Sequence, residues 1–354
     1  MKKLSDYVID FVAGAGVRHI FMLTGGGSMH LTDSVGRHLG LEYICCLHEQ
    51  ACAFAAEAYA EYTANLGVAL VTTGPGGTNT VTGVAAAWLE SASCLFLSGQ
   101  AKRADLIGST GVRSMGQQEV DIVSVVKPIT KYAKTVVDPD TIRYELEKAV
   151  YLATHGRRGP VWIDIPLDVQ ASSIDENALE GFTPPAQLPH DELSIQVSRA
   201  IDLYNRSERP VLFLGNGARA AHMKELVRKL IGTLQIPVLV TWKIVDAVPN
   251  DCEFYAGRPG AIGQRAANFT QQNSDWIMVI GARLDRPQTA FSYKNFARAA
   301  AKILVDVDPA EIAKFDAPID VPVCSDASEF IEEFLRQASK IVKGSRSCWL
   351  KRTR

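Results

Sequence analysis

Short apolar runs alternate with helical patterns along most of this chain, and that alternation constrains the fold more than any other feature. In residues 1–171, the runs that predict strands are 19–23, 43–47, 68–72, 94–98 and 161–165, and the helical patterns are 4–15, 51–65, 80–91 and 141–153. Strands and helices at this spacing favour a parallel sheet covered on both faces. We therefore predict a doubly wound α/β fold.

A second block with the same alternation begins near residue 193. Its predicted strands are 210–214, 237–241, 276–280 and 302–307, and its predicted helices are 193–205, 223–234 and 328–341. The polar, proline-containing stretch between the blocks is typical of a linker. We predict an N-terminal domain at 1–171, a linker at 172–192, a second domain at 193–340 and a short final segment at 341–354.

Composition excludes several classes of protein. The net charge of −2 lacks the basic surplus of a nucleic-acid-binding domain. No apolar run approaches the ~20 residues that a membrane helix needs, and residues 1–10 lack a signal-peptide core. The cysteines lack metal-ligand spacing, so we predict no metal held by this chain itself. We expect a cytoplasmic protein that binds neither nucleic acid nor membrane.

One carboxylate, Glu49, stands where a predicted strand gives way to an alanine-rich helix. We predict that this strand, residues 41–47, is buried. Its apolar members are Leu41, Tyr43, Ile44 and Leu47. A carboxylate at such a junction is partly desolvated and held on rigid elements, so it can be aimed at a ligand. The same position suits a residue that only complements the positive end of the helix dipole, and position alone leaves both interpretations open.

Two glycine-rich turns follow predicted strands in the first block. Gly25-Gly26-Gly27 follows the first strand, and residues 74–79, Gly-Pro-Gly-Gly-Thr-Asn, follow the third and precede a helix predicted from Thr80. Glycines at strand ends let a backbone approach a ligand, and ligands of open α/β sheets gather at this edge. Tight turns without a ligand would need the same glycines, so the pattern leaves both possibilities open.

The order of these pieces is more specific than any one of them. After the first turn come His48-Glu49-Gln50, then residues 74–79, then Gln118-Glu119, and then residues 159–170, which read Gly-Pro-Val-Trp-Ile-Asp-Ile-Pro-Leu-Asp-Val-Gln. With these segments in this order, the sequence resembles the acetolactate synthase-type family of thiamine-diphosphate enzymes. The resemblance covers essentially the whole chain, as a pyrimidine-binding domain followed by a central domain.

The resemblance implies how a thiamine-diphosphate cofactor meets the first block. In such enzymes the glutamate that Glu49 matches hydrogen-bonds N1′ of the aminopyrimidine, and the shared proton activates the thiazolium ring. Gly74, Pro75 and Asn79 match the loop that lies against the pyrimidine. Gly26, in the first glycine turn, is a further cofactor-binding candidate.

The resemblance also implies a reaction, decarboxylation of a small 2-oxo acid such as pyruvate followed by carboligation. Gln118 matches a glutamine near the substrate end of the cofactor, although an ordinary helix-start residue would look the same. Leu167 replaces the family's lysine, which weakens the case for acetolactate synthase itself over a sister activity. The acceptor substrate stays open.

Some members of this family carry FAD in the central domain. The matching contacts here would be Arg157, Arg283 and Asp306. Residues 257–260 read Gly-Arg-Pro-Gly where the family reads Gly-Met-His-Gly. This departure argues against FAD in this protein.

The family anchors the diphosphate through Mg²⁺ on a third domain with a Gly-Asp-Gly motif, which this sequence lacks. We expect a truncated or split member in which Mg²⁺ is held through a missing domain or a partner chain. The resemblance implies a homodimer or tetramer, because thiamine sites of this family form between two subunits.

Two other functions stay open beside this one. The chain could be a catalytically silent half-site or assembly protein that keeps only the fold and the dimer surface. A dehydrogenase of the NAD type rests on residues 215–220, Gly-Asn-Gly-Ala-Arg-Ala, after a strand. The next predicted strand, residues 237–241, does not end in the acidic residue that such a dehydrogenase needs.

Overall fold

The computed structural model of the protein describes residues 1–186, 192–219, 223–342, 344 and 346–353. The chain forms two compact units, Met1–Ala186 and Gln187–Arg354, each with its own sheet and core. The first unit reaches past residue 171, because Ser173–Ile174 pairs antiparallel with Lys2–Lys3 near the start of the chain. Residues 187–191 of the predicted linker lie outside the described residues.

The first unit alternates strands with helices from its start. Its strands are β1 (Lys2–Lys3), β2 (His19–Met22), β3 (Glu42–Cys45), β4 (Gly67–Val71), β5 (Cys94–Gln100), β6 (Tyr132–Thr135), β7 (Val161–Pro166) and β8 (Ser173–Ile174). Its helices are α1 (Leu4–Gly14), α2 (Met29–Arg37), α3 (Glu49–Thr63), α4 (Pro75–Glu90), α5 (Ile122–Val126), α6 (Ile142–Thr154) and α7 (Leu167–Gln170). The sequence pattern missed α2 and β6, because both are short and rich in polar residues.

Six of these strands form one parallel sheet in the order β3-β2-β4-β5-β7-β6. The predicted doubly wound α/β fold is confirmed. The order runs outward from β2 in one direction and from β4 in the other. In such sheets, ligands bind outside the carboxyl ends of the strands where the order reverses. The crevice between β2 and β4 is therefore the first place to look for a site.

The prediction that residues 41–47 form a buried strand is wrong. Strand β3 is the edge of the sheet and pairs only with β2. Leu41 is buried, but Tyr43 is 53 % exposed and Leu47 is fully exposed. An apolar run looks the same whether its strand is central or at an edge, because that distinction depends on which strands pair.

Helix α4 begins at Pro75 and not at Thr80, so the predicted loop 75–79 is the first turn of a helix. Proline suits the first helical position, because its ring presets φ and its missing N–H would have had no partner there. Gly74, with φ of +62°, is the residue just before the helix. The correction places Asn79 on the first turns of a rigid element.

The second unit has the same architecture. Its described strands are β9 (Pro210–Leu214), β10 (Val238–Val240), β11 (Tyr255–Gly257), β12 (Trp276–Ile280), β13 (Ala301–Asp306) and β14 (Val321–Cys324). Its described helices are α8 (Leu193–Asn205), α9 (Met223–Leu234), α10 (Arg265–Asn273), α11 (Pro309–Ala313), α12 (Ala327–Arg336) and α13 (Ser347–Arg352). The strands form a parallel sheet in the order β11-β10-β9-β12-β13-β14.

The glycines after β9 pack against the neighbouring strand end. The Gly217 N–H donates to the Gly281 carbonyl at 3.0 Å, and a Cβ on Gly217 would lie 2.8 Å from Gly281 Cα. This close backbone approach explains the glycines without a dinucleotide. Ala220, the last residue of the NAD-type pattern, lies outside the described residues. Over the part of the chain that is described, none of the helices combines the length and the apolar character of a membrane span.

Candidate functional site

The first glycine turn lies at the carboxyl end of β2, wedged between β4 and β5. The Gly27 N–H donates to Thr72 Oγ1 at 3.1 Å, and a Cβ on Gly99 would lie 2.0 Å from the Gly27 carbonyl oxygen. Gly26 differs from its neighbours, because a Cβ there would meet no atom within 4 Å. The turn is therefore held rigidly, and Gly26 is the residue of the turn that has open space beside it.

Gln170 fixes this turn from the other side, a contact that the sequence pattern did not reveal. Its buried Nε2 donates to the Gly27 carbonyl at 2.7 Å and to the Ile165 carbonyl at 2.8 Å. One side-chain amide thus joins the first glycine turn to strand β7. Only its place directly after the β7 segment could have suggested this role.

Glu49 begins helix α3, shortly after the end of β3. His48 is the N-cap, since its Nδ1 accepts a hydrogen bond from the Gln50 N–H at 3.1 Å. Glu49 is 9 % exposed, and its Oε2 accepts a hydrogen bond from Asn79 Nδ2 at 2.9 Å. Its Oε1 lies on the side of Gly76, 3.7 Å from where a Cβ would stand. Two residues singled out separately in the sequence are therefore hydrogen-bonded partners, with one carboxylate oxygen fixed and the other turned toward a glycine.

Gly74 and Gln118 meet at the same edge. A Cβ on Gly74 would lie 2.1 Å from the Gln118 carbonyl oxygen, so only glycine allows this approach. Gln118 itself is exposed and has a left-handed φ of +58°. It lies in a turn and not at a helix start, so the alternative interpretation of Gln118 as a helix-start residue is wrong.

Glu119 organises the loop before Gln118, which the sequence pattern also did not reveal. Its buried carboxylate accepts hydrogen bonds from the backbone N–H groups of Met115 at 3.0 Å, of Gly116 at 3.2 Å and of Ile107. A carboxylate that accepts several backbone N–H groups makes strong, charge-assisted hydrogen bonds. The loop is therefore tied to the residue next to Gln118.

The structure thus gathers the predicted site residues of the first block at one crevice. Glu49, Gly74, Pro75 and Asn79 lie together at the carboxyl edge between β2 and β4, Gln118 packs on Gly74, and Gly26 opens the neighbouring turn. Among the described residues, no three His, Cys, Asp or Glu side chains are grouped closely enough to hold a metal ion.

Two of the candidate FAD contacts, Asp306 and Arg157, have local hydrogen-bond partners. Asp306 ends β13, and its Oδ1 accepts a hydrogen bond from the Asp308 N–H at 3.0 Å. Arg283, with φ of +47°, follows β12 in the same sheet. Arg157 belongs to the first unit, where its Nε donates to Ser91 Oγ at 3.3 Å. The expectation that FAD is not bound stays a prediction.

Comparison with known families assigns both units. The profile of the "Thiamine pyrophosphate enzyme, N-terminal TPP binding domain" matches residues 2–125, and that of the "Thiamine pyrophosphate enzyme, central domain" matches residues 197–334. The chain belongs to the thiamine pyrophosphate enzyme family. The predicted family resemblance is confirmed, and the crevice described above lies in the domain that binds thiamine pyrophosphate in this family.

Several curated relatives of this chain are acetolactate synthase large subunits. The chain is 32% identical to that of Haemophilus influenzae over 95% of this chain and 58% of the relative. It is 33% identical to that of Corynebacterium glutamicum over 94% of this chain and 52% of the relative. It is 33% identical to a probable acetolactate synthase large subunit of Methanocaldococcus jannaschii over 99% of this chain and 58% of the relative. The chain spans about half the length of the curated relatives it matches.

The residues present fit the pyrimidine half of thiamine diphosphate. A carboxylate oxygen, Glu49 Oε1, lies beside Gly76, 3.7 Å from where a Cβ would stand. A carboxylate is the group that can share a proton with a ring nitrogen such as N1′. The donor set therefore agrees with the family assignment.

Proposed function

We propose that the first unit binds the aminopyrimidine of thiamine diphosphate and that Glu49 is its proton relay. The observation that carries this proposal is the Asn79–Glu49 hydrogen bond, which holds Oε2 at 2.9 Å and leaves Oε1 for a ligand. The cofactor, when bound, supplies the nucleophilic carbon and the electron sink for 2-oxo-acid chemistry. The chain supplies orientation and the proton at N1′.

Each site residue then has a physical task. Glu49 Oε1 holds or releases the proton at N1′, from a position shielded by helix α4. Asn79 keeps the carboxylate in one orientation, because its Nδ2 donates a hydrogen bond to the other oxygen, Oε2. Gly74 gives room to the Gln118 carbonyl, and Gly76 gives room to the Thr72 side chain, so both glycines fix the backbone beside Glu49.

The overall reaction we propose is acetolactate synthase-like carboligation. One 2-oxo acid loses carbon dioxide, and the remaining acyl carbon joins an acceptor. The names of the curated relatives support this reaction class. Leu167 at the family's lysine position weakens the case for acetolactate synthase itself over a sister activity, and the acceptor stays open.

Completion of the site is also part of the proposal. Mg²⁺ and the diphosphate would be held by a further domain or a partner chain, in a homodimer or tetramer located in the cytoplasm. The support for this part is the family resemblance, in which a third domain carries the Gly-Asp-Gly motif and thiamine sites form between two subunits. FAD has no part in the proposed function.

Exchange of the cofactor's C2 proton tests the relay. The chain is reconstituted with the diphosphate-binding domain that the proposal requires and mixed with thiamine diphosphate and Mg²⁺ in deuterated buffer, and loss of the C2 proton signal is followed by NMR. We expect the reconstituted wild-type protein to accelerate exchange and Glu49→Gln to abolish the acceleration, because an amide cannot exchange the proton at N1′. Glu57→Gln, about two turns farther along α3, is the matched control and should behave as wild type.

Two results would contradict the proposal. Equal acceleration by Glu49→Gln and wild type would remove Glu49 as the relay. No acceleration by the reconstituted wild-type protein, with no heat of binding in calorimetry, would favour the catalytically silent assembly protein.

A further inference from the structure

A buried carboxylate, Asp164, lies on β7 behind the crevice and outside the set of cofactor-facing residues. Its Oδ1 accepts a hydrogen bond from Ser98 Oγ at 2.6 Å. Its Oδ2 accepts hydrogen bonds from Gln100 Nε2 and from Thr135 Oγ1, each at 3.1 Å. Burial raises the pKa of Asp164 to about 7, although these hydrogen bonds oppose the shift. Burying a carboxyl group costs free energy unless it is hydrogen-bonded, so its hydrogen-bond partners indicate its structural role.

Gln100, at the end of β5, uses every part of its side-chain amide. Nε2 donates to Asp164 Oδ2 and also to the Val120 carbonyl at 3.0 Å, and Oε1 accepts from the Ala101 N–H at 2.9 Å. Asp164 thereby fixes the orientation of the amide, with the NH₂ group toward Asp164 and Val120 and the oxygen toward Ala101. A flipped amide would set oxygen against both Asp164 and Val120, and NH₂ against the Ala101 N–H.

The Val120 carbonyl belongs to the segment that carries Gln118. The Ile122 N–H also donates to this carbonyl, at 2.8 Å, and Gln118 lies two residues before Val120. The Gln118 carbonyl in turn packs on Gly74 so closely that no Cβ fits between them. A continuous set of contacts therefore runs from β7 through Gln100 to the floor of the crevice.

We propose that Gln100, oriented by Asp164, is a positioning residue that fixes the Gln118 segment against Gly74. The proposal rests on the proposed function for its catalytic meaning, since Gln118 is the residue we expect near the substrate. Asp164 keeps this role in either protonation state. A proton on Oδ1 can be donated to Ser98 Oγ, and Oδ2 then stays an acceptor for Gln100.

Amide hydrogen exchange in the cofactor-free chain tests the positioning role. Gln100→Met removes the donor with little change in volume. Thr135→Val is the matched control. It removes a different hydrogen bond to the same Asp164 oxygen, and the Thr135 side chain does not bond to the Val120 carbonyl. The reporters are the amides of Gly116 and Glu119, which are hydrogen-bonded within the loop, and that of Leu97 in the core of β5.

We expect Gln100→Met to speed exchange at Gly116 and Glu119 about tenfold, the effect of one lost buried hydrogen bond on a local opening. Exchange at Leu97 should not change, and Thr135→Val should leave all three amides at wild-type rates. The carbonyl ¹³C shift of Val120 should move in Gln100→Met alone, because that shift reports hydrogen bonding to its oxygen.

Three results would overturn the positioning role. They are unchanged exchange at both loop amides in Gln100→Met, equal effects of both variants, or a Val120 shift that does not move. If Gln100→Met does not fold, Gln100→Asn keeps the site polar and is too short to reach both partners, and the same criteria apply. Because no cofactor is present, this test can fail while Glu49 still accelerates C2 exchange, and the reverse also holds.

Discussion

The buried carboxylate of Asp164 makes the stability of the first unit depend on pH in a direction that can be worked out. Burial raises its pKa to about 7 from an ordinary value of 3.8. Between these two values, the folded protein keeps a proton that the unfolded chain has released. The free energy of unfolding contributed by Asp164 is therefore largest below pH 4 and falls as the pH rises through 7.

The size of this effect follows from the two pKa values. Each pH unit between them changes the free energy of unfolding by about 1.36 kcal/mol, so the whole interval is worth about 4 kcal/mol. Asp164→Asn removes the titration and keeps the shape of the side chain. We expect the free energy of unfolding of wild type, minus that of Asp164→Asn, to fall by about 4 kcal/mol between pH 4 and pH 8.

Urea unfolding of both proteins, followed by circular dichroism at several pH values, measures this difference. All other titrating groups are shared, so they cancel when the variant is subtracted. Thr135→Val is the control, because it leaves Asp164 able to titrate, and its free energy of unfolding should fall with pH at least as much as that of wild type, since the lost hydrogen bond opposes the rise in the pKa. A difference that stays constant with pH, or one that rises with pH, would refute the reasoning.

Two other predictions concern glycines and cysteines. Gly74→Ala should lower the free energy of unfolding by at least about 1 kcal/mol, because of its positive φ and the contact with Gln118. Gly36→Ala should raise the free energy of unfolding by about 0.5–1 kcal/mol, because Gly36 lies inside helix α2 with open space around its Cβ position. Thermal melting of both variants checks the opposite signs. In the folded protein at pH 8, iodoacetamide should modify the exposed Cys45 and leave Cys52 unmodified, because Cys52 is fully buried and burial raises its pKa to about 12. Mass spectrometry of the peptides measures both sites, and modification of Cys52 at the rate of Cys45 would contradict this assignment.

Local pattern was a good guide where an element has a regular apolar periodicity. Strand Trp276–Ile280 and helices Leu193–Asn205 and Met223–Leu234 lie where the sequence predicts them. Pattern failed at β3, whose apolar residues lie on an edge, and at α4, whose first turn looks like a glycine loop. The causes differ. The burial of β3 depends on which strands pair with it, and local composition does not report partners. At α4, Pro75 takes the first helical position, so the helix begins before the glycines end.

The sequence by itself determined the fold class, the family and the residue types at the candidate site. Strand and helix periodicity, and the order of the glycine turns around Glu49, are properties of the chain read in one dimension. Only the tertiary structure decided which of these residues act together. It pairs Asn79 with Glu49, sets Gln118 on Gly74, and holds that segment through Gln100 and Asp164. These contacts join residues 20 to 64 positions apart, and only the packing of strands in the sheet brings such distant residues within hydrogen-bonding distance.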